Sequence, residues 1–266
     1  TRMSSAPRTI PFVKASACGN DFLIVERNLA PAEMADLSRR MCDRHNGVGA
    51  DGVEWLFSDS EVDISARLFN SDGSEAEISG NGTRCVAAYL VSRNAKEKVS
   101  IRTGAGVKFC TLIGTSGCQF EFEAAMGVPE VADELSIRLA SSEVRGIPVS
   151  MGNPHFVVFV DRFVHGWQAE AAEIQRQSAF PNGVNVELVV VAHPHQIEAR
   201  FFERGVGETK SSGTGSCASA IAAIATSRAK SPVTVDTPGG TQTVRWDQQV
   251  YLRGNAQLIC RGEFFV

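Results

Sequence analysis

Two short stretches, Ser79-Gly80-Asn81-Gly82 and Ser212-Gly213-Thr214-Gly215, join a hydroxyl to glycines that leave backbone N–H groups open. Glycine lets backbone come close to a ligand and tolerates positive φ. Free N–H groups at a helix start favour anions. Both stretches therefore suit a small carboxylate, with Ser79 and Ser212 placed on opposite sides of the bound molecule. Neither has the GxxxxGK spacing of a phosphate loop. Taken singly, each also reads as a serine-capped helix start, so capping and anion binding both stand as readings.

The seven cysteines, Cys18, Cys42, Cys85, Cys110, Cys118, Cys217 and Cys260, are odd in number and irregular in spacing, with no CxxC pair. That pattern points away from a disulfide framework or zinc cluster and toward a reducing, cytoplasmic setting. Most are expected to be small buried hydrophobes. No metal ligand set is read.

The two serine stretches belong to an internal repeat. Shifting the 266-residue chain by 133 positions lays Gly19-Asn20 on Gly152-Asn153, and Ala66–Phe69 on Ala199–Phe202. The same shift lays Glu75 on Glu208 and Ser79–Gly82 on Ser212–Gly215. One offset shared by separated blocks, glycines included, is the mark of a duplication. Each half reads alike. A strand-like run (Asp63–Phe69, Gln196–Phe202) is followed by a polar turn, the glycine loop, and an Ala-rich apolar segment (Val86–Ser92, Ala218–Thr226) of high helix propensity. Most of the rest reads as short β segments, such as Phe156–Val160, Val186–Val191 and Val233–Val235. The expectation is an α+β protein of two pseudo-symmetric halves with a cleft between them. The first half is 1–125, with 257–266 returning to it, and the second is 126–256. Met126–Ser150 is the expected crossing region.

The net charge of −4 argues against a general nucleic-acid binder, and no apolar run nears the roughly 18 residues needed to span a bilayer. Thr1–Ala17 shows no signal-peptide apolar core, and Thr1 and Arg2, ahead of Met3, read as an appended remnant.

A set of ordered motifs extends these readings. They are Gly19-Asn20-Asp21-Phe22, Arg44-His45-Asn46-Gly47-Val48-Gly49, Phe69-Asn70-Ser71-Asp72-Gly73-Ser74 and Gly80-Asn81-Gly82-Thr83-Arg84-Cys85. Further along come Met151-Gly152-Asn153-Pro154-His155, Glu203-Arg204-Gly205, Gly213-Thr214-Gly215-Ser216-Cys217 and Pro238-Gly239-Gly240. Through them the chain resembles the diaminopimelate epimerase family over nearly its whole length. The resemblance implies that each half is a curled mixed sheet wrapped around a central helix, with the active site in the cleft. It implies inversion at an α-carbon by two-base proton transfer, without pyridoxal phosphate, other cofactor or metal. A small amino acid is the implied partner, with nucleic acid and membrane excluded and a homodimer left open. Asn20, Asn70, Asn153 and Asn185 match substrate-contacting asparagines. Glu203 and Arg204 match the pair that holds the substrate's amino group and distal carboxylate. His155 and Glu203 match residues that help ionise the catalytic groups, and the backbone of Gly80-Asn81 and Gly213-Thr214 receives the α-carboxylate. On residues alone, Asn70 and Asn185 also read as turn residues, His155 as a structural hydrogen bonder and Arg204 as a solvated charge. Phe69, Phe201 and Phe202 read as core.

The sequence departs from the family at the catalytic positions. The family has cysteine before each glycine pair, where this chain has Ser79 and Ser212. An ordinary thiol ionises at about 8.5, and an alcohol is several units weaker, so the serines do not inherit the thiolate role. Gly52 stands where the family usually has glutamine. Three readings stay open: a deliberately substituted epimerase; a paralogue with other proton-transfer chemistry (isomerase or lyase) whose base is His155, Glu203 or Cys18; and a non-catalytic small-molecule binding protein.

Overall fold

A computed structural model describes residues 8–266. Thr1 and Arg2 lie outside the described residues. The chain divides into two compact units, one running to Glu123 and taking in Asn255–Val266, the other Ala124–Gly254.

In the first unit the strands are β1 (Thr9–Ala17), β2 (Asn20–Glu26), β3 (Gly52–Phe57), β4 (Ile64–Asn70), β5 (Glu75–Ala76), β6 (Lys98–Thr103), β7 (Gly106–Ser116) and β8 (Gln119–Gly127), whose end enters the second unit. Its helices are α1 (Pro31–Cys42) and α2 (Gly80–Asn94). β2 runs parallel to β3, β3 antiparallel to β4, β4 parallel to β6, and β6 antiparallel to β7.

The second unit contains β9 (Glu130–Val131), β10 (Leu135–Arg138), β11 (Glu143–Ser150), β12 (Pro154–Phe159), α3 (Trp167–Gln175), β13 (Asn185–His193), β14 (Gln196–Glu203) and β15 (Gly207–Thr209). They are followed by α4 (Gly213–Ala225), β16 (Val233–Thr237), β17 (Gly240–Trp246) and the start of β18 (Val250–Phe265). The same ladders recur: β12 parallel to β13, β13 antiparallel to β14, β14 parallel to β16, β16 antiparallel to β17. Even the register agrees, since Phe22 pairs with Gly52 and His155 with Asn185, each 133 residues on. Met126–Ser150, expected as a crossing region, consists largely of strands.

Each sheet uses both faces. Along β3, Val53 and Trp55 point to α1, where they meet Met34, Leu37 and Met41, while Leu56 points to α2. Successive strand residues face opposite ways, so one strand can serve two cores. α2 is buried nearly all round, through Cys85, Val86, Ala87, Ala88, Leu90 and Val91, against Ala15, Phe22, Ile24 and Leu68. α4 does the same with Cys217, Ala218 and Ala220–Ala223 against Ile147, Val157, Ile197 and Phe201. A helix apolar on every side belongs inside a fold, and small residues let the strands close on it.

The structure bears out the capped helix starts and the core phenylalanines, and adds two helices. The serine-capped helix starts read from the sequence are present, with the central helices beginning at Gly80 and Gly213, ahead of the Ala-rich segments. Ser79 and Ser212 are N-caps whose Oγ atoms accept from Gly82 N (3.0 Å) and Gly215 N (3.2 Å). Helices α1 and α3 fall in regions read as β segments or left unassigned. Phe69 and Phe201 are buried in the core as expected, and Phe202, partly buried, packs against the core beside α3, edge-on to Trp167.

The glycines of the first loop are not equivalent. A Cβ at Gly82 would lie 2.2 Å from Glu54 Oε1, whereas one at Gly80 would meet nothing within 4 Å. Gly82→Ala is therefore expected to cost about 1–3 kcal/mol by overpacking. Gly80→Ala should leave the urea midpoint unchanged or slightly raised. Equal losses at both positions would contradict this packing.

Candidate functional site

In the first unit a directed chain of side chains leads to the start of α2. Buried Arg84 donates to Asn81 Oδ1. Asn81 Nδ2 donates to Asn20 Oδ1 at 2.7 Å, and Asn20 Nδ2 donates to Asp51 Oδ2 at 3.0 Å. Arginine only donates and an ionised carboxylate only accepts, so the two ends set both amide orientations. Asp51 is held in turn by Arg44 at 2.8 Å. Asn70 lies on the adjacent turn, where its Nδ2 donates to Ser74 Oγ (3.0 Å) and Ser71 N donates to Asp51 O (3.0 Å).

The second unit has a corresponding pair with different backing. Asn153 Nδ2 donates to Thr214 Oγ1 at 3.3 Å, as the 133-residue offset from Asn20 and Asn81 requires. Asn153 Oδ1 faces His155 Nε2 at 3.0 Å, and His155 Nδ1 lies 2.7 Å from Glu187 Oε1. Both ring nitrogens are therefore engaged, one by the Asn153 side chain and the other by the Glu187 carboxyl. Both residues are about 1% exposed, a setting that favours a hydrogen-bonded couple over an isolated charge. In this arrangement His155 bridges the buried Glu187 carboxyl to Asn153.

Asn185 is committed to backbone. Its Nδ2 donates to Pro154 O (3.0 Å) and its Oδ1 accepts from Arg204 N (2.9 Å), so it braces β12 against the Glu203-Arg204 turn. Glu203 Oε1 accepts from Thr209 Oγ1 at 2.6 Å. Burial raises the Glu203 carboxyl above the usual range, while the Thr209 bond and His155 pull it down. Arg204 is exposed, its guanidinium donating to Asn182 O at 3.0 Å. The structure thus gathers Asn20, Gly80 and Asn81 with Ser79 in one unit, with Asn70 on the turn beside them. In the other it gathers Asn153, His155, Asn185, Glu203, Arg204, Gly213 and Thr214 with Ser212.

Cys85 and Cys217 lie close in sequence to the two serines but are fully buried within α2 and α4, so neither replaces a thiol at the cap. Cys18 is half-buried, its Sγ 3.5 Å from Arg84 Nη2. Gly52 has a steric reason for its identity: a Cβ there would meet Phe69 O at 2.8 Å and Leu68 Cδ1 at 3.1 Å. A glutamine at that position would require the strand pair to move apart. Among the described residues, no cluster of three His, Cys, Asp or Glu is grouped to hold a metal, and no helix is long and apolar enough to cross a membrane.

Sequence reasoning missed two carboxyls, Glu54 and Glu187, both buried on the strands that face the central helices. Burial pushes the Glu54 carboxyl from an ordinary 4.5 up to about 8. Between those values the folded protein holds a proton that the unfolded chain has lost, so stability falls as pH rises. The expected loss attributable to Glu54 is up to about 1.4 kcal/mol per pH unit. Urea unfolding of wild type and Glu54→Gln from about pH 5 to about pH 8 checks this. Curves that stay parallel would rule it out.

The family model described as diaminopimelate epimerase matches residues 12–120 and 147–259. A diaminopimelate epimerase of Pelotomaculum thermopropionicum is 37% identical, the match covering 95% of this chain and 98% of that one. Among solved structures, a phenazine biosynthesis protein of the PhzF family from Bacillus anthracis superposes with a TM-score of 0.73 at 18% identity, covering 97% of this chain and 100% of that one. A hydroxyproline epimerase from Agrobacterium vitis, with bound trans-4-hydroxy-L-proline, gives 0.71 at 15% identity, covering 99% and 94%. These two carry the fold alone. With the family model over most of its length and a full-length relative well above 30% identity, the chain belongs to the diaminopimelate epimerase family.

Proposed function

We propose that the protein binds an α-amino dicarboxylic acid of the diaminopimelate type and that Ser79 and Ser212 occupy the two proton-transfer positions. In this reading the backbone N–H groups of Gly80-Asn81 and of Gly213-Thr214 are the groups that receive an α-carboxylate. Asn20, Asn70, Asn153 and Asn185 shape the site, while Glu203 and Arg204 take the substrate's amino group and far carboxylate. No cofactor is called for. The observation that carries the reading is the repeated pair Asn20–Asn81 and Asn153–Thr214, each built onto a serine-capped helix start. A serine hydroxyl ionises far less readily than a thiol, so this form is a binder of slow turnover. Deuterium uptake at the α-carbon of L,L-diaminopimelate in D₂O, measured beside its binding, is the test.

One observation favours a second reading. Glu203 combines partial burial, a raised carboxyl and a position beside the braced Asn185 turn. These are the properties of a single general base, which would serve an isomerisation that needs no opposed thiols. Exchange that survives with the serines in place and disappears in Glu203→Gln would favour it.

A further inference from the structure

Behind each serine-capped helix start stands a buried carboxyl that the proton-transfer reading does not use. Glu54 and Glu187 lie 133 residues apart, like the serines. On β3, Glu54 shares with Leu56 the face turned to α2; on β13, Glu187 shares with Val189 the face turned to α4. A Cβ added to Gly82 would lie 2.2 Å from Glu54 Oε1 and 3.3 Å from Ser79 Cβ, so the carboxyl fills the space behind the first turn of α2. Glu187 reaches the corresponding turn of α4 through His155, Asn153 and Thr214.

A negative charge in that place opposes any anion on the outer side of the same N–H groups, and little water screens it. At Glu187 the imidazole of His155, 2.7 Å away, is a direct hydrogen-bonding partner for the carboxyl. The first unit lacks that device. The residue equivalent to His155 is Phe22, since 155 − 133 = 22. No salt bridge among the described residues reaches Glu54. Its strand neighbours in register are Ile24 and Leu68. From α2 it faces Gly82 and Cys85, whose thiol burial holds neutral. The Arg84 guanidinium is taken by Asn81, Cys18 and Asn255 O. Among the described residues no ion pair neutralises Glu54, which leaves that role to a proton of its own.

We infer that Glu54 is a proton-holding positioning residue: the start of α2 accepts a carboxylate only while Glu54 is a neutral acid, and a bound anion tightens Glu54's hold on its proton. The inference rests on the anion-binding reading above, which supplies the ligand. Glu54 touches no reacting atom; it sets the charge behind the N–H groups that do the binding. Because burial raises it only to about 8, the proton is lost within a range that solution experiments reach.

The test follows the infrared carbonyl band of the protonated Glu54 carboxyl, assigned by its absence in Glu54→Gln, against pH. It is run with and without L,L-diaminopimelate, and calorimetric affinity is measured over the same range. The band should be present at neutral pH, disappear near its midpoint, and shift to a higher midpoint with ligand bound. Affinity should fall about tenfold per pH unit above the free midpoint, a fall that Glu54→Gln removes. A band absent at neutral pH, a midpoint that ligand does not move, or an identical fall in the variant overturns the inference. If Glu54→Gln does not fold, the shift of the wild-type band with ligand decides alone. If diaminopimelate does not bind, the proposed function fails, and concentrated acetate becomes the probe; an unmoved midpoint then overturns this inference separately.

Discussion

Replacing Ser79 and Ser212 together by cysteine raises α-proton exchange from L,L-diaminopimelate into D₂O by about 10²- to 10⁴-fold, the range over which a positioned acid–base group acts. Each side chain is an N-cap accepting from a first-turn N–H, of Gly82 or of Gly215. A thiolate there gains the same N–H and the positive end of the helix, the setting that lowers a cysteine's pKa. The alcohol gains little, because its proton is too tightly held to be shared at neutral pH. Inversion needs a group on each face of the α-carbon, so either single replacement should recover only a small part of the gain. The buried thiols of Cys85 and Cys217 give no background, being fully enclosed. Binding without exchange in the dithiol form would mean that diaminopimelate is not the substrate. Exchange as fast with the serines in place would transfer the chemistry to Glu203.

Glu187→Ala should destabilise the fold by about 3–5 kcal/mol, the cost of removing one partner of a buried ionisable pair. It strands His155 Nδ1 in a site about 1% exposed and opens a cavity under the strand. Glu187→Gln keeps a polar partner at Nδ1 and should cost under about 3 kcal/mol, the penalty for an imperfectly met buried polar group. Urea denaturation at neutral pH measures both. If alanine proves no worse than glutamine, the couple is not what holds His155 and Asn153 in place.

The cues in the sequence were strongest where chemistry and local backbone coincide. Serine is a favoured N-cap, and the recurrence of Ser-Gly-x-Gly at one offset, 79–82 and 212–215, marked both central helix starts. Alternation in Asp63–Phe69 and Gln196–Phe202 located β4 and β14 to within a residue or so, because one strand face meets a central helix. α1 was overlooked although its signal was present: Pro31 at the first turn, then Met34, Leu37 and Met41 at helical spacing. α3 had less to offer, with an uncharged αL glycine as its cap. Glu54 and Glu187 were hidden inside apolar strand runs. A charged residue between Val53 and Trp55, repeated between Val186 and Leu188, was the available clue. The contact of Glu187 with His155, by contrast, arises from a parallel strand pairing that spans 32 residues. The close packing that excludes a side chain at position 52 depends on how tightly β3 and β4 approach, which no local pattern records.

The last strand of the chain carries a consequence for how the protein is made. Residues 257–265 of β18 pair with Thr9–Ser16 of β1, while Val250–Arg253 pair with β17. Synthesis delivers β1 well before its partner, which follows the whole of Ala124–Gly254. The segment 124–254 can assemble as a continuous piece, but the earlier one waits with one side of β1 unpaired. A stalled or shortened chain would therefore present that open edge, with Phe12 beside it, as a nucleus for aggregation.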